Sequence, residues 1–236
     1  MRKRLGLSIM AEALFRDRLD AGTQLAAKLS GYRGKDALVL GIPRGGVPVA
    51  ATVARQLDAD LDIMVARKLG APGSRELAIG AVTANGGSFL NEHLIRELGV
   101  SAAYLEAVEV EQRAAAQRQE TELRGPQRAI PATGRIVILV DDGLATGATM
   151  RAAVRSVRKP QTGRPARLVV AVPVGSPEAC SALRQEADEF VCLAEPEPFW
   201  AVGLYYESFP ATENTEVRQL LAEAASRRRA PHEQTG

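Results

Sequence analysis

Short, unbroken runs of branched apolar residues recur along this chain, each followed by a turn and then by a stretch with helical spacing. Ala37 to Ile42, Leu61 to Ala66, Ile136 to Val140, Arg167 to Val174 and Glu189 to Leu193 are such runs. Continuous apolarity over so few residues belongs to strands covered on both faces, as in a parallel sheet. Between them, Val47 to Leu57, Gly147 to Arg158 and Pro177 to Glu186 predict helices, and Ala11 to Leu29 predicts another, with Leu14, Leu19, Leu25 and Leu29 near helical spacing and Gly31 as the stop. Alternation of this kind builds a doubly wound α/β domain of about five mostly parallel strands.

Other segments break the alternation. Leu77 to Thr83 and Ser88 to Leu90, joined through Asn85-Gly86-Gly87, predict a hairpin along one sheet edge. Asn91 to Gly125 is an inserted helical stretch. Its half from Val110 to Arg124 has few large apolar residues, which predicts a solvated helix packed on one thin stripe, the alternative being a subunit contact. Lys159 to Pro165 reads as a polar linker, and residues 227–236 have the composition of a disordered tail.

The most informative segment is Ile136 to Thr149, where a buried-type strand runs into Asp141 and Asp142 and then into the small-residue turn Ala145-Thr146-Gly147-Ala148-Thr149. Ligands of such sheets sit beyond the carboxyl ends of the strands. Paired carboxylates accept hydrogen bonds from vicinal hydroxyls, and amides and hydroxyls at a helix N-terminus hold phosphate. One segment therefore offers a diol grip and a phosphate cradle. The strand Ala37 to Ile42 ends in Pro43-Arg44-Gly45-Gly46, where glycines allow close backbone approach and Arg44 adds a charged fork. After Leu61 to Ala66 come Arg67 and Lys68, then a Gly- and Pro-rich stretch through Arg75 and Glu76, which reads as a mobile loop carrying positive charge at a strand end.

These three motifs, with Arg44 about 100 residues before the acid pair, resemble the type I phosphoribosyltransferases. The resemblance spans about residues 14–221 and implies one phosphoribosyltransferase domain over 1–236. In it a doubly wound, mostly parallel sheet is flanked by helices, with a small hood formed by the N-terminal helix and residues 195–209. It implies Mg²⁺-dependent transfer of a 5-phosphoribosyl group from phosphoribosyl pyrophosphate (PRPP) to a nitrogenous base, releasing pyrophosphate. Asp141 and Asp142 would hold the ribose hydroxyls and the metal, directly or through water, and Ala145 through Thr149 the 5′-phosphate. Arg44, Gly45, Gly46, Arg67, Lys68 and Arg75 would hold pyrophosphate, with Lys68 and Glu76 joining the acid pair in catalysis. Gly143 departs from the family, which usually carries a small apolar residue there; the expectation is a slightly looser turn with no ligand group lost. The resemblance also implies a homodimer.

Five of the chain's ten aromatic residues fall between Phe199 and Phe209. That enrichment points to a flat-ring platform, with Phe199 and Trp200 stacking on a base and Tyr205 and Tyr206 packing beneath. Acids at Glu195 and Glu197 disfavour orotate and favour a neutral or amino-bearing ring.

Composition changes this picture little. The 236 residues suffice for one large core. Thirty basic against 28 acidic residues leave a net charge of +2, which gives no bulk drive toward nucleic acid or membrane. The rival reading, a PRPP-binding regulator without transferase activity that acts on RNA, would rest on the arginines between Arg113 and Arg135. Cys180 and Cys192 lack metal or redox spacing, read as small core residues and suit a reducing cytoplasm. Arg2-Lys3-Arg4 precedes only a short apolar stretch, Leu5 to Ala11, so no secretory or membrane-spanning segment is expected.

Overall fold

The computed structural model describes residues 13–159 and 163–229. Five strands, β1 (Ala37–Gly41), β2 (Asp60–Ile63), β6 (Ile136–Val140), β7 (Arg167–Val174) and β8 (Glu189–Ala194), form one parallel sheet in the order β2-β1-β6-β7-β8. The branched runs form these strands because both sheet faces are covered. Val39, Ile138, Val140, Val169 and Ala171 point into one core layer, and Leu38, Leu40, Val137, Leu139, Leu168 and Val170 into the other. Helices α1 (Arg18–Lys28), α2 (Gly46–Leu57) and α7 (Asn214–Arg229) cover the first face. Helices α5 (Ala148–Val157) and α6 (Pro177–Glu186) cover the second. All five strands run the same way, so the turns after β1, β6, β7 and β8 meet at one edge.

A second sheet lies apart from the first. Strands β3 (Ala66–Ala71), β4 (Ser74–Thr83) and β5 (Ser88–Leu90) pair antiparallel in that order. The expected hairpin is present, but it pairs with β3 instead of extending the main sheet. Its Ala81 and Phe89 pack on Ala148 and Ala152 of α5. Its other side, with Leu69, Ile79 and Val82, packs on α3 (Glu92–Glu97) and α4 (Ala102–Arg124). Gly87 makes the first contact possible, since a Cβ there would stand 2.6 Å from Ala152 O.

Several boundaries differ from expectation. The strand expected to reach Ala66 ends at Ile63, and Arg67 and Lys68 lie in β3, paired with Val82 and Ala81. The mobile loop is thus a tight hairpin around Pro72 and Gly73, because Leu69 and Ala71 complete the apolar side of β4. Helix α1 begins at Arg18, capped by Asp17, whose side chain accepts from Asp20 N; Ala11 and Glu12 of the expected helix lie outside the described residues, as do the leading basic residues. At the other end, residues 227–229 continue α7, held by buried Val217, Leu221 and Ala224, while 230–236 lie outside the described residues. The linker is described except for residues 160–162. Helix α4 buries only Ala116 and Leu123, the thin stripe expected of it. It is tied to β2 by Arg124, 3.1 Å from buried Asp62.

Cys180 and Cys192 are free thiols 3.8 Å apart between α6 and β8, in the packed position expected of them. No helix among the described residues is long and apolar enough to cross a membrane.

Candidate functional site

The site grows from two turns at the carboxyl edge of the main sheet. After β6 the chain turns through Asp141 and Asp142, whose side chains are partly buried. Burial pushes both carboxyls above their ordinary range; the neighbouring charge of Asp142 adds to the rise at Asp141, and Arg18 opposes it at Asp142. Asp141 Oδ1 accepts from Asp142 N at 2.8 Å. After β1, the loop Pro43-Arg44-Gly45-Gly46 lies directly against these acids. A Cβ on Gly45 would stand 2.0 Å from Asp142 Oδ2, and one on Gly46 would stand 2.8 Å from Asp141 Cα. The paired glycines therefore allow two turns to close on each other, which no side chain would permit.

The small-residue turn after the acid pair opens α5. Gly147 sits at its N-cap with φ of 71°, a left-handed conformation that favours glycine. Ala145 and Thr146 are exposed, and Ala145 O accepts from Ser176 Oγ at 2.7 Å. Thr149 is half-buried and lines an adjacent cleft of about 960 Å³. That cleft is walled by Arg44 of the β1 loop, by Arg67, Lys68 and Arg75 of the second sheet, and by α4. Arg67 is presented by α4: its Nε donates to Gln112 Oε1 at 2.9 Å and its Nη1 to Gln119 Oε1 at 3.2 Å. Four cations from two sequence motifs thus meet an N-terminal helical turn.

Three sequence candidates stand elsewhere. Glu76 is exposed on β4 and does not line the cleft, whose side of that strand is taken by Arg75. Neither Phe199 nor Trp200 lines it. Phe199 lies 5.3 Å from the ring of Tyr205 within an aromatic cluster, and Trp200 is 69% exposed.

The structure adds contacts at the acid turn that the sequence did not reveal. Arg18, the first residue of α1, reaches Asp142 Oδ2 with Nη2 at 2.8 Å and Nε at 2.9 Å. Tyr206 donates its hydroxyl to Asp142 O at 2.7 Å, and burial beside that acid holds its phenol well above the ordinary value. A Cβ on Gly143 would stand 2.6 Å from Val202. The glycine therefore makes room for Val202 of the aromatic segment, so the turn is packed there instead of loosened. That segment is braced from the N-terminal side: Phe15 N donates to Tyr205 O, Glu207 N to Phe15 O and Ser208 N to Arg16 O. These contacts join residues far apart in the chain, so no local pattern marks them.

Residues 11–207 match the model of the phosphoribosyl transferase domain family. Two Mycobacterium tuberculosis proteins, one from each of two strains and both carrying provisional phosphoribosyl transferase names, are 46% identical over 211 residues. The match covers 89% of this chain and 47% of each relative, so the chain spans about half their length. The crystal structure of TT1426 from Thermus thermophilus is 42% identical, with a TM-score of 0.73, over 89% of this chain and 98% of that one.

Proposed function

The chain belongs to the phosphoribosyl transferase domain family, and from that premise we propose that it transfers a 5-phosphoribosyl group from PRPP to a ring nitrogen, releasing pyrophosphate. The observation that carries this reading is the meeting of the two turns: Gly45 and Gly46 lie on Asp142 and Asp141, with Arg44 on the cleft that Arg67, Lys68 and Arg75 wall. A ribose held by the acids then has its pyrophosphate directed toward four cations. Transfer breaks the bond from C1′ to a pyrophosphate oxygen and forms one from C1′ to the acceptor nitrogen, which loses its proton. The leaving oxygen gains negative charge as this happens, and Arg44, Arg67 and Lys68 are placed to stabilise it. Asp141 and Asp142 orient the sugar by accepting from its hydroxyls, and the turn Ala145 to Thr149 anchors the 5′-phosphate.

Two carboxylates on adjacent residues suit a hard divalent cation, and Asp141 and Asp142 would hold Mg²⁺ directly or through water. Bound there with the ligand's own oxygens, it would supply further positive charge to the pyrophosphate. The acceptor is a neutral or amino-bearing ring, adenine-like bases being favoured because Glu197 opposes a carboxylate, Glu195 being paired with Arg184. Trp200 offers it an exposed indole. The assembly proposed is a homodimer and the compartment the cytoplasm. Pyrophosphate release from PRPP and Mg²⁺, followed across a panel of bases, tests the reaction. Turnover with a purine is expected; release with orotate alone would refute the acceptor class, and release with no base would refute the transfer.

A further inference from the structure

We infer that Arg18 is a positioning residue of the PRPP site: it fixes the carboxylate of Asp142 for the ribose diol. The inference rests on the reading of Asp141 and Asp142 as the diol grip. Arg18 lies 124 residues before Asp142 and belongs to none of the three motifs.

The contacts of its guanidinium are directed. Nη2 and Nε converge on Asp142 Oδ2, while Nη1 donates to Pro210 O at 2.7 Å. One face of the guanidinium covers the ring of Phe209, with Cζ 3.8 Å from its centroid. The two charged side chains are only 12% and 15% exposed. Nη2 also stands 3.1 Å from where a Cβ of Gly45 would be, so Arg18 completes a triangle with Asp142 and the pyrophosphate-type loop.

Two consequences follow for the acid pair. Asp141 and Asp142 are adjacent like charges that repel, and a fixed cation at Asp142 offsets that repulsion where the diol must be accepted. With Oδ2 held by Arg18, the carboxylate cannot rotate freely, which fixes the direction in which it meets a ribose hydroxyl. A planar fork on a short helix start does this at low cost in side-chain freedom, because Phe209 and Pro210 already hold the guanidinium. The contact also ties the N-terminal segment to residues 205–210 at the acid turn.

The test is calorimetric titration of wild type, Arg18→Met and Arg18→Lys with PRPP and, separately, with inorganic pyrophosphate, both in Mg²⁺, beside thermal melts. Arg18→Met is expected to weaken PRPP about ten-fold or more. Arg18→Lys should recover part of that loss, and pyrophosphate, which has no diol, should bind all three proteins alike. Equal losses for both ligands, or an unaltered PRPP affinity in Arg18→Met, would overturn the inference. If Arg18→Met does not fold, Arg18→Lys carries the same comparison: selective loss of PRPP supports the positioning role and parallel loss refutes it. A wild type that binds pyrophosphate but not PRPP would instead remove the diol reading itself, and this inference with it.

Discussion

Asp142 Oδ2 occupies the space that a side chain on Gly45 would need, 2.0 Å from the Cβ position. The loop after β1 and the acid turn after β6 are therefore one surface. Gly45→Ala should drive the carboxylate aside and lower PRPP affinity about a hundred-fold, roughly 2.7 kcal/mol. Circular dichroism should stay that of the wild type, since Gly45 is outside the core. Unchanged PRPP affinity in a folded Gly45→Ala protein would mean that the contact does not matter for binding.

The fit of Val202 over Gly143 leads to a second expectation. In Gly143→Val the new side chain would meet Val202 and Val174, so the segment carrying Tyr206 must lift from the acid turn. Overpacking of this kind costs about 1–3 kcal/mol, read as a lower denaturation midpoint. The Tyr206 hydroxyl would also lose Asp142 O, so Tyr206→Phe in the Gly143→Val background should add little. Fully additive losses would show that the segment had not moved.

How far the site was legible depends on distance along the chain. The acid pair, the turn through Thr149 and the Arg44-Gly45-Gly46 loop each sit on one strand-turn-helix, so their apolar runs and punctuating residues announce them locally. Arg18 and Val202 reach the acid turn from distant segments; both segments were expected in the hood, but nothing local assigns either residue to the acid pair. Strand β3 escaped for another reason: Arg67 to Ala71 has charges and glycine where a strand usually alternates, and it is ordered by the apolar side of β4. Helix α7 did carry a signal, Val217, Leu221 and Ala224 at helical spacing, hidden under the basic composition of residues 227–229. The aromatic cluster was legible as a cluster, yet pattern alone did not reveal that Phe199 faces Tyr205 while Trp200 faces outward.

The inserted helix α4 holds Arg67 through Gln112 and Gln119, so in the proposed reaction it would act on the leaving group without touching the acid pair. Replacing both glutamines by Ala should lower kcat/KM for PRPP about ten-fold, because a misplaced cation stabilises the leaving group less well. Steady-state kinetics with varied PRPP checks this. Parameters equal to wild type would leave α4 as scaffold only.

Arg124 stabilises the same helix. Its Nη2 lies 3.1 Å from Asp62 and 2.8 Å from Glu120, and Asp62 is buried, which pushes its carboxyl above the ordinary range. Arg124→Met leaves that buried acid without its cation, held only by the amides of Ile63 and Ile130, and should cost about 3 kcal/mol in urea unfolding. Asp62→Asn in the same background should restore part of the loss.

If Asp141 and Asp142 grip the ribose of PRPP, titration of PRPP in Mg²⁺ should show binding by wild type and none measurable by Asp142→Asn, with both proteins melting as folded domains. Equal PRPP affinities in the two proteins would mean that the acid pair does not hold the sugar.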